Sequence, residues 1–87
     1  MLFPDAMNWA DAKKACRALG KGWRLPTKSE LNILYKNRKK IGGFGSDYYS
    51  SSTEYNNIFA WIQSFDNGLT NTAGKPANYY VRAVKSL

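Results

Sequence analysis

Histidine is absent from this chain of 87 residues, cysteine occurs once, at Cys16, and only six carboxylates stand against thirteen lysines and arginines. Without histidine, nucleophilic mechanisms that depend on an imidazole base are excluded. Zinc needs several His or Cys ligands and is excluded with them, and the scattered carboxylates point to no other metal. The chain is therefore expected to be no enzyme and to carry no cofactor. One cysteine cannot close an intrachain disulfide, so pairing is silent about the redox compartment. No apolar run approaches the roughly 20 residues that span a bilayer, and no membrane insertion is expected. The start, Met1-Leu2-Phe3-Pro4-Asp5, has neither the basic cluster nor the apolar core of a signal peptide. A domain cut from a longer secreted protein, its signal left behind, would begin in this way.

What is present suffices for one folded domain over residues 1–87. Hydrophobic residues make up 44% of the chain and aromatic residues 15%, well above a disordered composition. A chain this short buries only about 60–65% of its unfolded surface, so the core must be efficient. The net charge is +7, and its distribution is uneven. Residues 1–43 hold ten cations against three acids, whereas residues 44–87 hold three of each. Such asymmetry suits a polyanionic partner, or a solvated helical face that keeps the protein soluble.

The first half reads as two helices. Asn8 caps the first, and Trp9, Ala12, Cys16 and Leu19 recur at spacings of three and four as a buried stripe. Gly20 stops it in a left-handed conformation. Thr27-Lys28-Ser29-Glu30 is a capping box for the second helix, whose apolar face is Leu31, Leu34 and Tyr35. That helix is expected to run through Lys36, Arg38, Lys39 and Lys40 until Gly42-Gly43 breaks it. The second half reads as strands. Tyr48 to Ser52 is a strand leading into a polar loop, and Phe59 to Phe65 alternates. Asp66-Asn67-Gly68 turns the chain so that Leu69 to Thr72 pairs back. Residues 73–78 are loop, and Tyr79 to Lys85, apolar on both faces, is a central last strand. Helices followed by strands indicate an α+β fold.

Five stretches in order carry a resemblance. They are Trp9 with Ala12 and Cys16; Gly22-Trp23-Arg24-Leu25-Pro26-Thr27 with Glu30-Leu31; Tyr48-Tyr49-Ser50-Ser51-Ser52-Thr53-Glu54; Ala60-Trp61 with Phe65 and Gly68; and Val81-Arg82-Ala83-Val84. Together they resemble the Legionella collagen-like protein C-terminal domain family, near the Fibrobacter succinogenes major paralogous domain and more distantly the formylglycine-generating enzymes. The resemblance spans residues 8–85. It implies a C-type-lectin-like fold, two helices flanking a small, twisted, mostly antiparallel sheet, on surface and secreted proteins. It also implies binding of sulfated glycans, as a homotrimer. In the family the helix-1 cysteine often pairs with a cysteine at the position of Ala83, so Cys16 is expected buried and reduced. Lys75-Pro76-Ala77-Asn78 has no carboxylate where calcium-dependent lectins place one, and the reactive C-terminal cysteines of formylglycine-generating enzymes are missing.

Trp9, Trp23 and Trp61 are expected in the core, and Arg24, Glu30, Glu54 and Arg82 as structural pairing groups. Two candidate sites remain. Lys36, Arg38, Lys39 and Lys40, joined by Lys13, Lys14, Arg17, Lys21 and Lys28, form the first, a patch for sulfates or phosphates. The second is neutral loops offering Tyr55, Asn56, Asn57, Asn71, Asn78 and Tyr79, a composition like that of adaptable binding loops. The expected function is non-catalytic recognition of a glycan or another anionic surface polymer. The alternatives are a structural or oligomerising tip of a fibre, or a phage receptor-binding domain. Nucleic acid is disfavoured, because no recognised motif for it is present.

Overall fold

The computed structural model describes residues 3–86. Helix α1 spans Trp9–Ala18 and helix α2 Lys28–Lys36. Both begin as their sequences dictate. The Asn8 side chain accepts from the Asp11 amide at 2.9 Å. At α2 the Thr27 hydroxyl accepts from the Glu30 amide at 3.2 Å, and the Glu30 carboxylate accepts from the Thr27 amide at 2.9 Å. The chain leaves α1 through Gly20, at φ +135°.

The second helix does not run on through Lys40. Asn37 departs from helical dihedrals (φ −106°, ψ 13°), and a separate short helix α3 covers Arg38–Ile41. The Asn37 side chain donates to the Ile33 carbonyl at 2.9 Å, and its own amide bonds the same oxygen. An asparagine that competes in this way for a backbone acceptor favours a break.

Strands β1 (Trp23–Arg24), β2 (Tyr48–Glu54), β3 (Phe59–Ser64), β4 (Thr70–Gly74) and β5 (Val84–Lys85) form two antiparallel sheets, ordered β1-β5 and β2-β3-β4. With the helices this makes an α+β domain of the expected lectin-like arrangement. The β3–β4 hairpin turns at Asp66–Gly68 as expected, although β4 extends two residues further, to Gly74.

The strand expected over Tyr48 to Ser52 is present and runs on to Glu54. Ser50 lies opposite Ile62 and Glu54 opposite Ala60, so four steps along β2 match two along β3. This irregularity displaces Ser51–Thr53 from the ladder and gives their polar groups other partners. The Ser51 hydroxyl donates to the Trp61 carbonyl at 2.6 Å, the Ser52 amide to the Pro26 carbonyl at 2.7 Å, and the Lys28 amide to the Thr53 hydroxyl at 2.8 Å. A run of small hydroxyl residues can thus be buried, as Ser50 and Ser51 are, because each finds a hydrogen bond.

The last segment is not a regular central strand either. Only Val84–Lys85 forms a ladder, with β1, while Tyr79 and Tyr80 make isolated bridges to Met7 and Tyr49. The segment is central in packing all the same. Tyr80 packs against a cluster of Leu31, Tyr49 and Phe65, whereas Val81 and Ala83 belong to a second cluster with Ala12, Cys16 and Leu25. Threading between two small cores satisfies apolar burial on both sides without a continuous ladder. Cys16 and Ala83 meet in one cluster, as the resemblance implied, and the thiol is free and buried. Burial pushes the Cys16 thiol pKa up.

Candidate functional site

The three tryptophans are half-buried rather than core, and each has a lysine over its ring. Lys28 Nζ lies 3.6 Å from the Trp61 ring centroid, and Lys13 and Lys75 each lie 4.4 Å from that of Trp9. Lys85 is 6.0 Å from Trp23. The indole Nε1 of Trp9 donates to the Ser51 carbonyl at 2.9 Å. Tryptophan at the rim, with its polar atom bonded and a cation over its face, is a stable arrangement short of full burial.

The four charged residues placed within the motifs are paired. Arg24 grips Glu30 with both terminal nitrogens, at 2.5 and 2.6 Å, and its Nε donates to the Ser86 hydroxyl at 2.6 Å. The Arg24 guanidinium, with the Thr27 amide, holds the Glu30 carboxyl well below the usual carboxylate range, at about 2. Lys75 Nζ bonds Glu54 at 2.9 Å and the Asn57 carbonyl at 3.0 Å, which lowers the Glu54 pKa. Arg82 donates to the Gly42 carbonyl at 3.1 Å and lies 4.6 Å from the Phe44 ring centroid.

Four of the remaining cations border two separate clefts, and Lys21 and Lys85 line a third with Gly22 and Ser86. The first, of about 190 Å³, is lined by Lys13, Arg17, Arg24, Leu25 and Ser52. Lys13 and Arg17 are four residues apart on α1 and so share a face. The second, of about 280 Å³, is lined by Arg38, Lys39, Phe65 and the loop Gly42–Ser46. Arg38 is held in place there: it donates to the Tyr35 carbonyl at 2.9 Å and stacks 4.1 Å above the Tyr35 ring centroid. Lys36 and Lys40 are exposed beside this cleft in sequence, and neither lines it.

The neutral candidates fall in more than one place. Tyr55, Asn56 and Asn57 form the β2–β3 connection, where the Tyr55 ring meets Trp61 edge-on at 5.7 Å. The Asn56 side-chain oxygen is already engaged, accepting from the amides of Ile58 and Phe59 at 2.9 and 2.8 Å. Asn71 is exposed on β4, opposite Ile62. Asn78 is exposed, whereas Tyr79 is half-buried and tied to Met7 by two backbone hydrogen bonds. Sequence reasoning missed Phe44, Gly45, Ser46 and Phe65 as cleft residues. The signal was the third glycine of Gly42-Gly43-Phe44-Gly45, more than a helix stop requires.

Fold and clefts define the class first: a lectin-like α+β domain with a basic surface, and no cluster of three metal-ligating side chains among the described residues. The family profile of the Lcl C-terminal domain matches residues 3–85, and the chain belongs to that family. No curated protein matches the chain significantly.

Proposed function

We propose that this chain is a non-catalytic binding module of a surface or secreted protein, and that it recognises a glycan or another anionic surface polymer. The observation that supports this reading is the lack of internal compensation. Among the described residues only Arg24 and Lys75 form ion pairs, with Glu30 and Glu54, which leaves eleven of the thirteen cations without a carboxylate partner. Lys13 and Arg17 line a cleft with largely apolar walls, where an anion loses competing water and gains from the weaker screening. Retention on immobilised heparin and binding on a glycan array, each at low and high salt, test the proposal. Binding that weakens steeply with salt supports it; no binding at either salt overturns it.

A second reading has its own support. Tyr55, Ile58 and Phe59 are exposed together at the β2–β3 hairpin, Ile58 by 61%, and exposed apolar groups on one ordered element suit an assembly contact. A homotrimeric fibre tip would use them. Sedimentation equilibrium decides: a monomer at high concentration removes this reading.

A further inference from the structure

The three-stranded sheet, ordered β2-β3-β4, is covered along one edge and open along the other. On the β2 side the last segment closes it. The Ser50 amide donates to the Tyr80 carbonyl at 3.0 Å, and the Tyr80 amide to the Tyr48 carbonyl at 3.1 Å. On the β4 side the ladder has a definite parity. The Ser64 amide donates to the Leu69 carbonyl and the Lys75 amide to the Ile58 carbonyl, each at 2.9 Å. Antiparallel pairs alternate, so Leu69, Asn71, Ala73 and Lys75 turn their backbone groups toward β3, and Thr70, Thr72 and Gly74 turn theirs outward. Among the described residues these outward groups have one partner, the Ala77 amide on the Gly74 carbonyl at 3.0 Å.

Natural proteins blunt an open edge with charge, proline or a bulge. The strand Thr70-Asn71-Thr72-Ala73-Gly74 has no charge and no proline, and its register with β3 is unbroken. Thr70, Asn71 and Thr72 are exposed. At its end Lys75 is neutralised by Glu54, and residues 44–87 balance three cations against three acids. A chain of charge +7 therefore repels a second copy of itself least along this edge.

The edge is also complementary to itself. Antiparallel pairing of two copies about Thr72 sets Thr72 opposite Thr72 and Thr70 opposite Gly74. All of these are outward positions, so each pair can exchange both hydrogen bonds, and Thr–Thr is a favourable cross-strand pair. The same register lays Leu69 of one copy level with Lys75 and Ile58 of the other. Leu69 and Ile58, at 63% and 61%, are the most exposed large apolar side chains among the described residues.

We propose that β4 is a self-association edge, through which two copies of this chain join their sheets antiparallel about a two-fold axis at Thr72. Such an assembly stops at the dimer, because the β2 edge of each copy is already occupied. The seam shares no residue with the three basic clefts, so pairing and polymer binding are separate properties. One strand pair is a small interface, and association at about 0.1–1 mM is expected.

Sedimentation equilibrium and amide hydrogen exchange, followed on the full chain up to about 1 mM, test this. The expected result is a monomer–dimer equilibrium in which the Thr70, Thr72 and Gly74 amides gain protection with concentration. Asn71 and Ala73, bonded to β3, should be protected throughout. Thr72→Lys and Thr72→Glu each set like charges opposite one another and should weaken the dimer about fivefold or more. Mixing the two variants in equal amounts should restore it, since lysine then faces glutamate, and this rescue also shows that both variants fold. A chain that stays monomeric at 1 mM overturns the proposal. So does a dimer or trimer that is indifferent to both variants, or one that protects residues other than the outward positions of β4. Should either variant unfold, the wild-type exchange pattern decides alone.

Discussion

Gly68 and Gly42 both have positive φ, +81° and +77°, but their surroundings differ. A Cβ on Gly68 would lie 2.5 Å from the ring of Tyr35, while one on Gly42 would meet nothing within 4 Å. Tyr35 cannot easily move away, because it is held edge-on to Phe65 at 5.5 Å and lies beneath Arg38. Gly42→Ala should therefore cost only the backbone term, about 1–3 kcal/mol, because φ 77° with ψ 168° is a region essentially confined to glycine. Gly68→Ala should cost about 2–5 kcal/mol, with overpacking added. Urea denaturation of the two variants checks the order. Glu30 makes a different kind of prediction. Its pKa is lowered from 4.5 to about 2, so its contribution is complete above pH 4.5 and is lost as pH falls through about 2. The pair is partly exposed, and Glu30→Gln should cost about 1 kcal/mol at neutral pH. The gap between the wild type and Glu30→Gln should close on acidification; a gap independent of pH would assign the effect to something other than the carboxylate.

Helix α1 reaches the C-terminal segment through small side chains. Cys16 and Ala83 share a cluster with Ala12 and Val81, so helix and strand approach closely through a thiol and methyls. Ala83→Cys is expected to form a disulfide with Cys16, provided the Cβ atoms lie within about 3.5–4.5 Å. Joining residues 67 apart should stabilise the fold by about 2–4 kcal/mol, less any strain. Comparing melting temperatures with and without reductant, beside thiol titration of the oxidised protein, gives the answer. Two free thiols under oxidising conditions would show that the packing does not permit the bond. The elements themselves were unequally legible. Both helix starts could be read because caps and capping boxes act within four residues. The break at Asn37 could not, since it depends on a side chain outcompeting the ladder at one turn. Nor could the displaced Ser51–Thr53 stretch of β2, whose partners Pro26, Lys28 and Trp61 come from two other segments.

Across the molecule, a charge of +7 with few internal pairs is self-repelling. Moderate salt should raise the melting temperature by screening that repulsion, and heparin should raise it further by binding the folded state. Charge reversal at Lys39 and Lys40 should weaken heparin retention and reduce the salt effect together. A melting temperature indifferent to salt would mean that the cations lie too far apart to repel. The basic run was visible in the sequence as a candidate, but its division was not. Lys36 and Lys40 lie along the helices, Arg38 and Lys39 line a cleft, and Lys13 and Arg17 line another.

Local chemistry along the chain determined the α+β class, the two helix starts, the β3–β4 hairpin, the buried stripe through Cys16 and the family. Each rests on neighbours within a few residues, or on residue types whose order is itself the signal. Tertiary structure alone decided that the tryptophans sit at the rim under lysines, that buried serines are satisfied across segments, and that the last segment threads between two cores. It also decided that a glycine loop, two cations, Phe44 and Phe65 meet in one cleft. Those outcomes depend on which distant groups reach one another, and burial and hydrogen bonding settle that only once the chain has closed on itself.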